Sequence, residues 1–310
     1  MVPLREAVHL RRERVGVSSL SLSPRLARGE HEAGRPARVR PRGRTGCAVV
    51  LDGRAAERRG GHAGRTERWP SADGTTSTHP VKGHEMVRNL ILSGGVAHDY
   101  ARTSAMLADV LAEVCIESAV RDDFAVVESS GLLDYDLLTL NCVRWTCDQT
   151  AEWRDDWHFE LSAAARDGML EFLSHGKGLL ALHCATICFD DWPEYRNILG
   201  AWWEWGHSGH APLQEQTMRV AGDHPIVAGM ADLRIVDELY TNARTAGELA
   251  PLIVAEWEGV THPILWVRNY GRARVCYNAL GHGPEAFANP SNRLLLQRGA
   301  LWAAGRALPR

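Results

Sequence analysis

The first 85 residues hold a single aromatic side chain, Trp69, out of 22 in a chain of 310. A stretch so poor in large apolar groups cannot bury enough surface to offset the entropy of ordering it, so residues 1–85 are expected to be disordered. Charge is unbalanced there too. The stretch has 17 Lys/Arg against 9 Asp/Glu, a net of +8, whereas residues 86–310 carry a net of −11. The arginines are scattered among Gly, Pro and Ala with no aromatic side chains to stack on bases, which argues against a nucleic-acid arm. Nine acids argue against a transit peptide. In "HPVKGHEMVRNLILSGG", Met86 stands just ahead of the first apolar strand, and Lys82-Gly83 is a pair that a purine-rich ribosome-binding sequence encodes. The favoured reading is that translation starts at Met86 and that residues 1–85 are a mis-assigned extension. Residues 86–310 then form one domain.

Other absences narrow the class further. The 7 Cys include no CxxC pair, and Cys142 and Cys147 have no second pair to complete a zinc knuckle. Without a secretory apolar segment, free thiols in a reducing cytoplasm are expected. No apolar run approaches the length of a membrane helix. The acidic balance of residues 86–310 makes nucleic acid or an anionic membrane an unsuitable partner. A homo-oligomer is compatible with the composition.

From Val87 onward, strands and helices alternate. Residues 89–92 form a short apolar run that breaks at Ser93-Gly94-Gly95, and the apolar spacing of Met106, Leu107, Val110, Leu111 and Val114 predicts a helix over 103–114. Residues 115–120 follow as a strand, and "YDLLTLNCV" as a fully buried one. Ser162 caps a helix that ends at His175-Gly176, and residues 178–183 are again a continuously apolar strand. Such alternation implies right-handed crossovers and a mostly parallel sheet covered on both faces, an α/β three-layer αβα sandwich. Beyond Gly206, strands at 218–220, 233–236, 252–256, 264–267 and 275–278 lack long helices between them. They are expected to form an antiparallel C-terminal extension, closed by a helix that starts near Asn289 or Ser291 and ends at Gly305.

In such sheets ligands bind beyond the carboxyl ends of the strands. Four of these ends carry polar groups: His98-Asp99; Asn141 with Arg144 and Trp145; His183-Cys184; and His282. His207, His210 and the run Asp237-Glu238-Leu239-Tyr240 add more. Bland readings stand beside these. His224 and His262, each before Pro, are expected to build turns, and His175 to cap its helix. Trp202, Trp203 and Trp205 form either a sugar-stacking wall or packing. Asp237-Glu238 offer a base, a ligand or acceptors for loop amides.

The ordered series "ILSGGVAHDY", "YDLLTLN", "GKGLLALHCAT", "WPEYRNILGAWWEWGHSGH", "DHPIVAG", "VDELY", "ILWVRNYGRARVCYNALGHG" and "LLLQRGALWAAG" resembles the ThuA-like, trehalose-utilisation family from about residue 89 to 305. The resemblance implies a flavodoxin-like, class I glutamine amidotransferase-like fold and a link to catabolism of trehalose, related disaccharides or their 3-keto forms. It carries over His98, His183, Gly209-His210, Asp237-Glu238, Tyr240 and Gly281-His282. Cys184 departs from the family pattern, which commonly has a small residue such as Ala there.

Amidotransferases present a Cys nucleophile in a Gly-x-Cys-x-Gly elbow, where small neighbours admit a strained backbone. Here the five residues are Leu182-His-Cys-Ala-Thr186, both glycines are absent, and no late His-x-Glu pair is present to activate a thiolate. Neighbours on a strand point to opposite faces, so His183 is badly placed as a base for Cys184. Glutaminase chemistry is therefore not expected. Instead His98, His183, Glu238 and His282 are the expected catalytic residues, with Asp99, Asn141, Cys184, Trp203, Asp237 and Tyr240 lining a sugar site. His98, His183, His210 and His282 can hold a divalent metal such as Zn²⁺. The same groups without metal suit acid–base work on a carbonyl sugar. Two classes of function stay open: a hydrolase, isomerase or lyase acting on a (keto-)disaccharide, and a non-catalytic sugar-binding or regulatory protein.

Overall fold

A computed structural model of the chain describes residues 86–308. The expectations for residues 1–85 lie outside the described residues.

The elements run in chain order as β1 (Val87–Gly94), α1 (Tyr100–Ala112), β2 (Ile116–Arg121), β3 (Leu137–Cys142), α2 (Ala151–Trp157), α3 (Ala163–Ser174), β4 (Gly178–Leu182) and α4 (Pro193–Leu199). Two short strands follow, β5 (Ala201–Trp202) and β6 (Gly209–His210), then β7 (Gln214–Val220), β8 (Leu233–Asp237), β9 (Tyr240–Thr241) and β10 (Arg244–Thr245). The chain closes with β11 (Pro251–Trp257), β12 (Val260–Tyr270), β13 (Ala273–Asn278), α5 (Pro284–Ala288) and α6 (Pro290–Ala303).

One nine-stranded sheet has the order β2-β1-β3-β4-β13-β12-β11-β7-β8. Pairings are parallel from β2 through β13 and antiparallel from β13 to β8. β3 and β4 are buried at every position, as expected of apolar runs covered on both faces. The connection through α1 steps from β1 towards one edge, and that through α3 steps from β3 towards the other. Right-handed crossovers then place α1 and α3 on opposite faces. α6 packs on β4 and β13 beside α1 and α5. The fold is the expected α/β sandwich of amidotransferase-like type.

Local chemistry sets several boundaries. Asp99 caps α1 by accepting from the Arg102 N–H, Ser162 caps α3 through the Ala165 N–H, and Asn289 caps α6 through Ser291 and Asn292. His175 caps the end of α3, donating its ring N–H to the Glu171 carbonyl at 2.9 Å.

Three expectations need correction. Residues 275–278, grouped with the antiparallel strands, belong to β13, the fifth parallel strand: the β12–β13 hairpin returns the chain alongside β4. Residues 178–183 do not all form a strand. β4 stops at Leu182, and His183 enters a 3₁₀ turn with a left-handed φ of 42°. His262 builds no turn; it lies within β12, and the adjacent Pro263 pairs with Val254 where the β11 register shifts. Proline lacks an N–H, and such irregularities are where a sheet interior tolerates it. His224 does sit in a turn, its Nδ1 accepting from the Ile226 N–H at 3.2 Å.

Candidate functional site

The chain order doubles back between β1 and β3, which places a crevice beyond the carboxyl ends of the parallel strands. The loop after β1 brings His98 there. It passes so close to the loop after β3 that a Cβ on Gly95 would lie 2.5 Å from the Val143 carbonyl oxygen. With φ at 130°, this position requires glycine.

His183 follows β4, His282 follows β13, and Glu238 sits between β8 and β9. Together with His98 these residues offer ligand atoms that all lie within 4.8 Å of one another. His183 Nε2 is 3.1 Å from His98 Nε2 and 3.7 Å from Glu238 Oε2. His282 Nδ1 is 3.1 Å from the same Glu238 oxygen, yet this buried nitrogen makes no aligned hydrogen bond. His210, which faces Tyr240 across the β6–β9 pair, stands outside the four, with Nδ1 3.4 Å from Glu238 Oε1.

Tautomers follow from the partners. His183 Nδ1 is 2.7 Å from the Ala279 carbonyl, which can only accept, so the proton is assigned to Nδ1 and the lone pair to Nε2. His98 Nδ1 lies 3.4 Å from both the Val96 carbonyl, which accepts, and the Tyr100 hydroxyl, which can donate. With its proton on Nε2, His98 donates to the His183 lone pair across 3.1 Å; with its proton on Nδ1, two lone pairs face each other and a proton or cation between them relieves the clash.

The electrostatics divide the group. Burial, with the charge of His282 adding to it, holds His98 below its ordinary value. Burial alone would raise Glu238, but His183, His282 and His210 outweigh it and hold the carboxyl well below the usual carboxylate range. Burial would lower His282, but the adjacent Glu238 carboxylate raises it overall.

β4 ends in the way that decides the identity of the presented residue. On an amidotransferase-like scaffold, the strained residue after the strand is the one the elbow displays. Here that residue is His183, whose carbonyl is held by the Tyr277 hydroxyl at 2.7 Å. The turn also corrects the expectation that His183 and Cys184 face opposite ways. Both meet His98, with Cys184 Sγ 3.6 Å from its Nε2.

The remaining sugar-site candidates take varied places. Tyr240 donates to or accepts from Cys184 Sγ at 3.1 Å, and its ring lies 4.4 Å from that of His183. The Trp203 ring is 5.1 Å from Tyr240 and 6.5 Å from His210, so it flanks the cluster. Asp237 is fully buried and accepts from the backbone N–H groups of Glu238, Gly281 and His282. Asn141 is buried and donates to the Thr103 and Ser104 hydroxyls. Asp99 is exposed at its helix cap.

The sequence reading missed Tyr100, whose hydroxyl lies 3.4 Å from His98 Nδ1. A lone Tyr one residue after a cap gives no pattern by which to find it.

A family model described as ThuA, trehalose utilisation, matches residues 88–303. The chain belongs to the ThuA family. A ThuA-like protein from Parabacteroides merdae shares its fold with a TM-score of 0.60 at 21% identity, over 73% of this chain and 93% of that one. A ThuA-like protein from Bacteroides uniformis does so with a TM-score of 0.55 at 17% identity, over 70% and 91%. No curated protein matches this ThuA chain. Among the described residues, no helix is long and apolar enough to cross a membrane.

Proposed function

We propose that this ThuA chain is an enzyme acting on a disaccharide bearing a keto group, with a divalent metal ion held by His98, His183, His282 and Glu238. One observation carries the reading: four donors from four separate segments converge within 4.8 Å. A tetrahedral ion with bonds of 2.0–2.1 Å spaces nitrogen ligands about 3.3 Å apart, and the His98–His183 separation of 3.1 Å is close to that.

Such an ion, taking the sugar carbonyl as a fifth ligand, would supply Lewis-acid polarisation of it. A polarised carbonyl acidifies the neighbouring C–H, and proton transfer there leads to isomerisation or eliminative cleavage. Glu238, kept ionised by its histidines, suits holding the cation, and His210, 3.4 Å from its other oxygen, is the group placed to accept that proton. Tyr240, whose pKa burial drives well above the ordinary value, stays a neutral donor for a developing oxyanion. Trp203 supplies an aromatic face for a sugar ring. The partner is thus a small sugar. No disulfide joins the six described cysteines, in keeping with the proposed cytoplasmic setting.

The test is turnover of 3-keto-trehalose in D₂O. Solvent deuterium should appear at the carbon next to the carbonyl in a chelator-sensitive reaction, and His183→Ala and His282→Ala should abolish it. Binding without turnover would place the protein among sugar-binding or regulatory proteins instead.

A further inference from the structure

Four tryptophans gather beside the histidines and keep part of their surface exposed. Trp153 and Trp157 are on α2, and Trp203 and Trp205 are on the loop between β5 and β6. They pack around a buried group that includes Trp145 and Tyr240. The rings form a track that starts at the site. Trp203 is 5.1 Å from Tyr240, and Trp205 is 6.0 Å from Trp203. Beneath them, buried Trp145 links Trp205, stacked at 6.3 Å, to Trp153, edge-on at 5.7 Å. A core tryptophan such as Trp266 is instead covered completely, stacked on Tyr277 with its N–H on the Leu199 carbonyl.

The supports of this track are braced. The His207 and Ser208 N–H groups both donate to the Glu204 carbonyl, at 3.0 and 2.8 Å, closing the loop that carries Trp205. The Trp203 N–H donates to the Thr186 carbonyl at 2.8 Å, tying the same loop to the turn that presents His183. At the end of α2, the Phe159 N–H donates to the Trp145 carbonyl at 2.9 Å. No residue of α2 is fully buried, so Trp153 and Trp157, one turn apart, form the face that packs it on the fold. A fixed, half-covered aromatic surface continuous with a polar site suits a pyranose, whose C–H face lies against an indole while its hydroxyls stay hydrated. The nearby charges are acidic. Glu152, Asp155 and Asp156 stand exposed on α2, whose one base, Arg154, pairs with Asp148, and Glu204 pairs with Arg244. Such a setting repels a phosphorylated ring and accepts a neutral one.

We propose that Trp205 and Trp153 form a second subsite, which binds the non-keto ring of the disaccharide as an unphosphorylated pyranose. This rests on the keto-disaccharide reading above. The keto ring lies at the histidines against Trp203, and the second ring continues one aromatic step outward onto Trp205. The subsite makes the protein selective for a disaccharide over a single keto sugar.

Calorimetric binding of 3-keto-trehalose and of 3-keto-glucose to the full chain tests this. The wild type should bind the disaccharide about tenfold or more tightly than the single ring, and Trp205→Ala and Trp153→Ala should each remove most of that difference. Trp302→Phe, at the distant contact with His224, should keep it. Equal wild-type affinities overturn the inference and leave the keto-disaccharide reading standing, as does a difference that survives both alanine variants. Failure of either sugar to bind overturns both. A phosphate on the second ring should weaken binding, and equal or tighter binding overturns the neutral-ring assignment. Should the variants not fold, saturation-transfer NMR of the wild type serves, with the aromatic protons irradiated. Saturation should reach the protons of the non-keto ring, and saturation confined to the keto ring overturns the inference.

Discussion

Asp237 Oδ1 accepts a hydrogen bond from the backbone N–H of His282 at 3.1 Å, while its Oδ2 takes the Gly281 N–H at 2.8 Å. Because Asp237 also accepts from the Glu238 N–H at 2.8 Å, one buried carboxylate sets the spacing between Glu238 and His282. Asp237→Asn replaces an acceptor oxygen with an amide that faces N–H groups. It should cost about 1–3 kcal/mol of stability and weaken metal binding without touching a ligand. Urea unfolding together with metal titration checks this. An unchanged metal affinity would mean that the loop spacing does not matter.

The strain at His183 gives a way to separate folding from chemistry. Asn tolerates left-handed backbone better than most residues. His183→Asn is therefore expected to melt within a few degrees of the wild type, yet to lose about 10²–10⁴-fold in turnover if the imidazole acts in the reaction. Full activity in a well-folded Asn variant would remove His183 from the chemistry.

His262 is the residue for a pH test of stability. It is 4% exposed, and its Nδ1 accepts from the Asn242 N–H at 3.3 Å, steadying the segment just after Tyr240. Burial holds its pKa below the ordinary 6.5. The unfolded chain therefore binds a proton more readily than the native one. The contribution of neutral His262 is complete above 6.5 and is lost as pH falls through the lowered native value. Denaturant unfolding at a series of pH values from 7.5 downward should show stability falling on the acid side, and His262→Asn should flatten that slope. Equal slopes for the two proteins would show that His262 does not contribute.

Trp203 should act on binding rather than chemistry. Trp203→Ala is expected to raise KM about three- to tenfold, with kcat little changed. A matching fall in kcat would instead mean that Trp203 holds Tyr240 and His210 in place, since its ring touches both.

The sandwich was legible because its signals are local. The fully apolar runs of β3 and β4 and the helix caps at Ser162 and Asn289 can be read without tertiary information. The convergence of His98, His183, Glu238 and His282 was legible only as the property of strand ends in an open sheet. Two features were not legible. One was the direction of β13, which depends on a hairpin with β12. The other was the left-handed turn at His183, a backbone conformation that no His codes for and that the Tyr277 hydroxyl helps to hold. That turn brings Cys184 as well as His183 to face His98.

Elemental analysis of tag-free protein purified without added chelator tests the central claim most directly. About one equivalent of a divalent transition metal per chain is expected, dropping to a small fraction of that in His98→Ala and Glu238→Gln variants that remain folded. Sugar turnover at full rate by protein stripped of metal would contradict it.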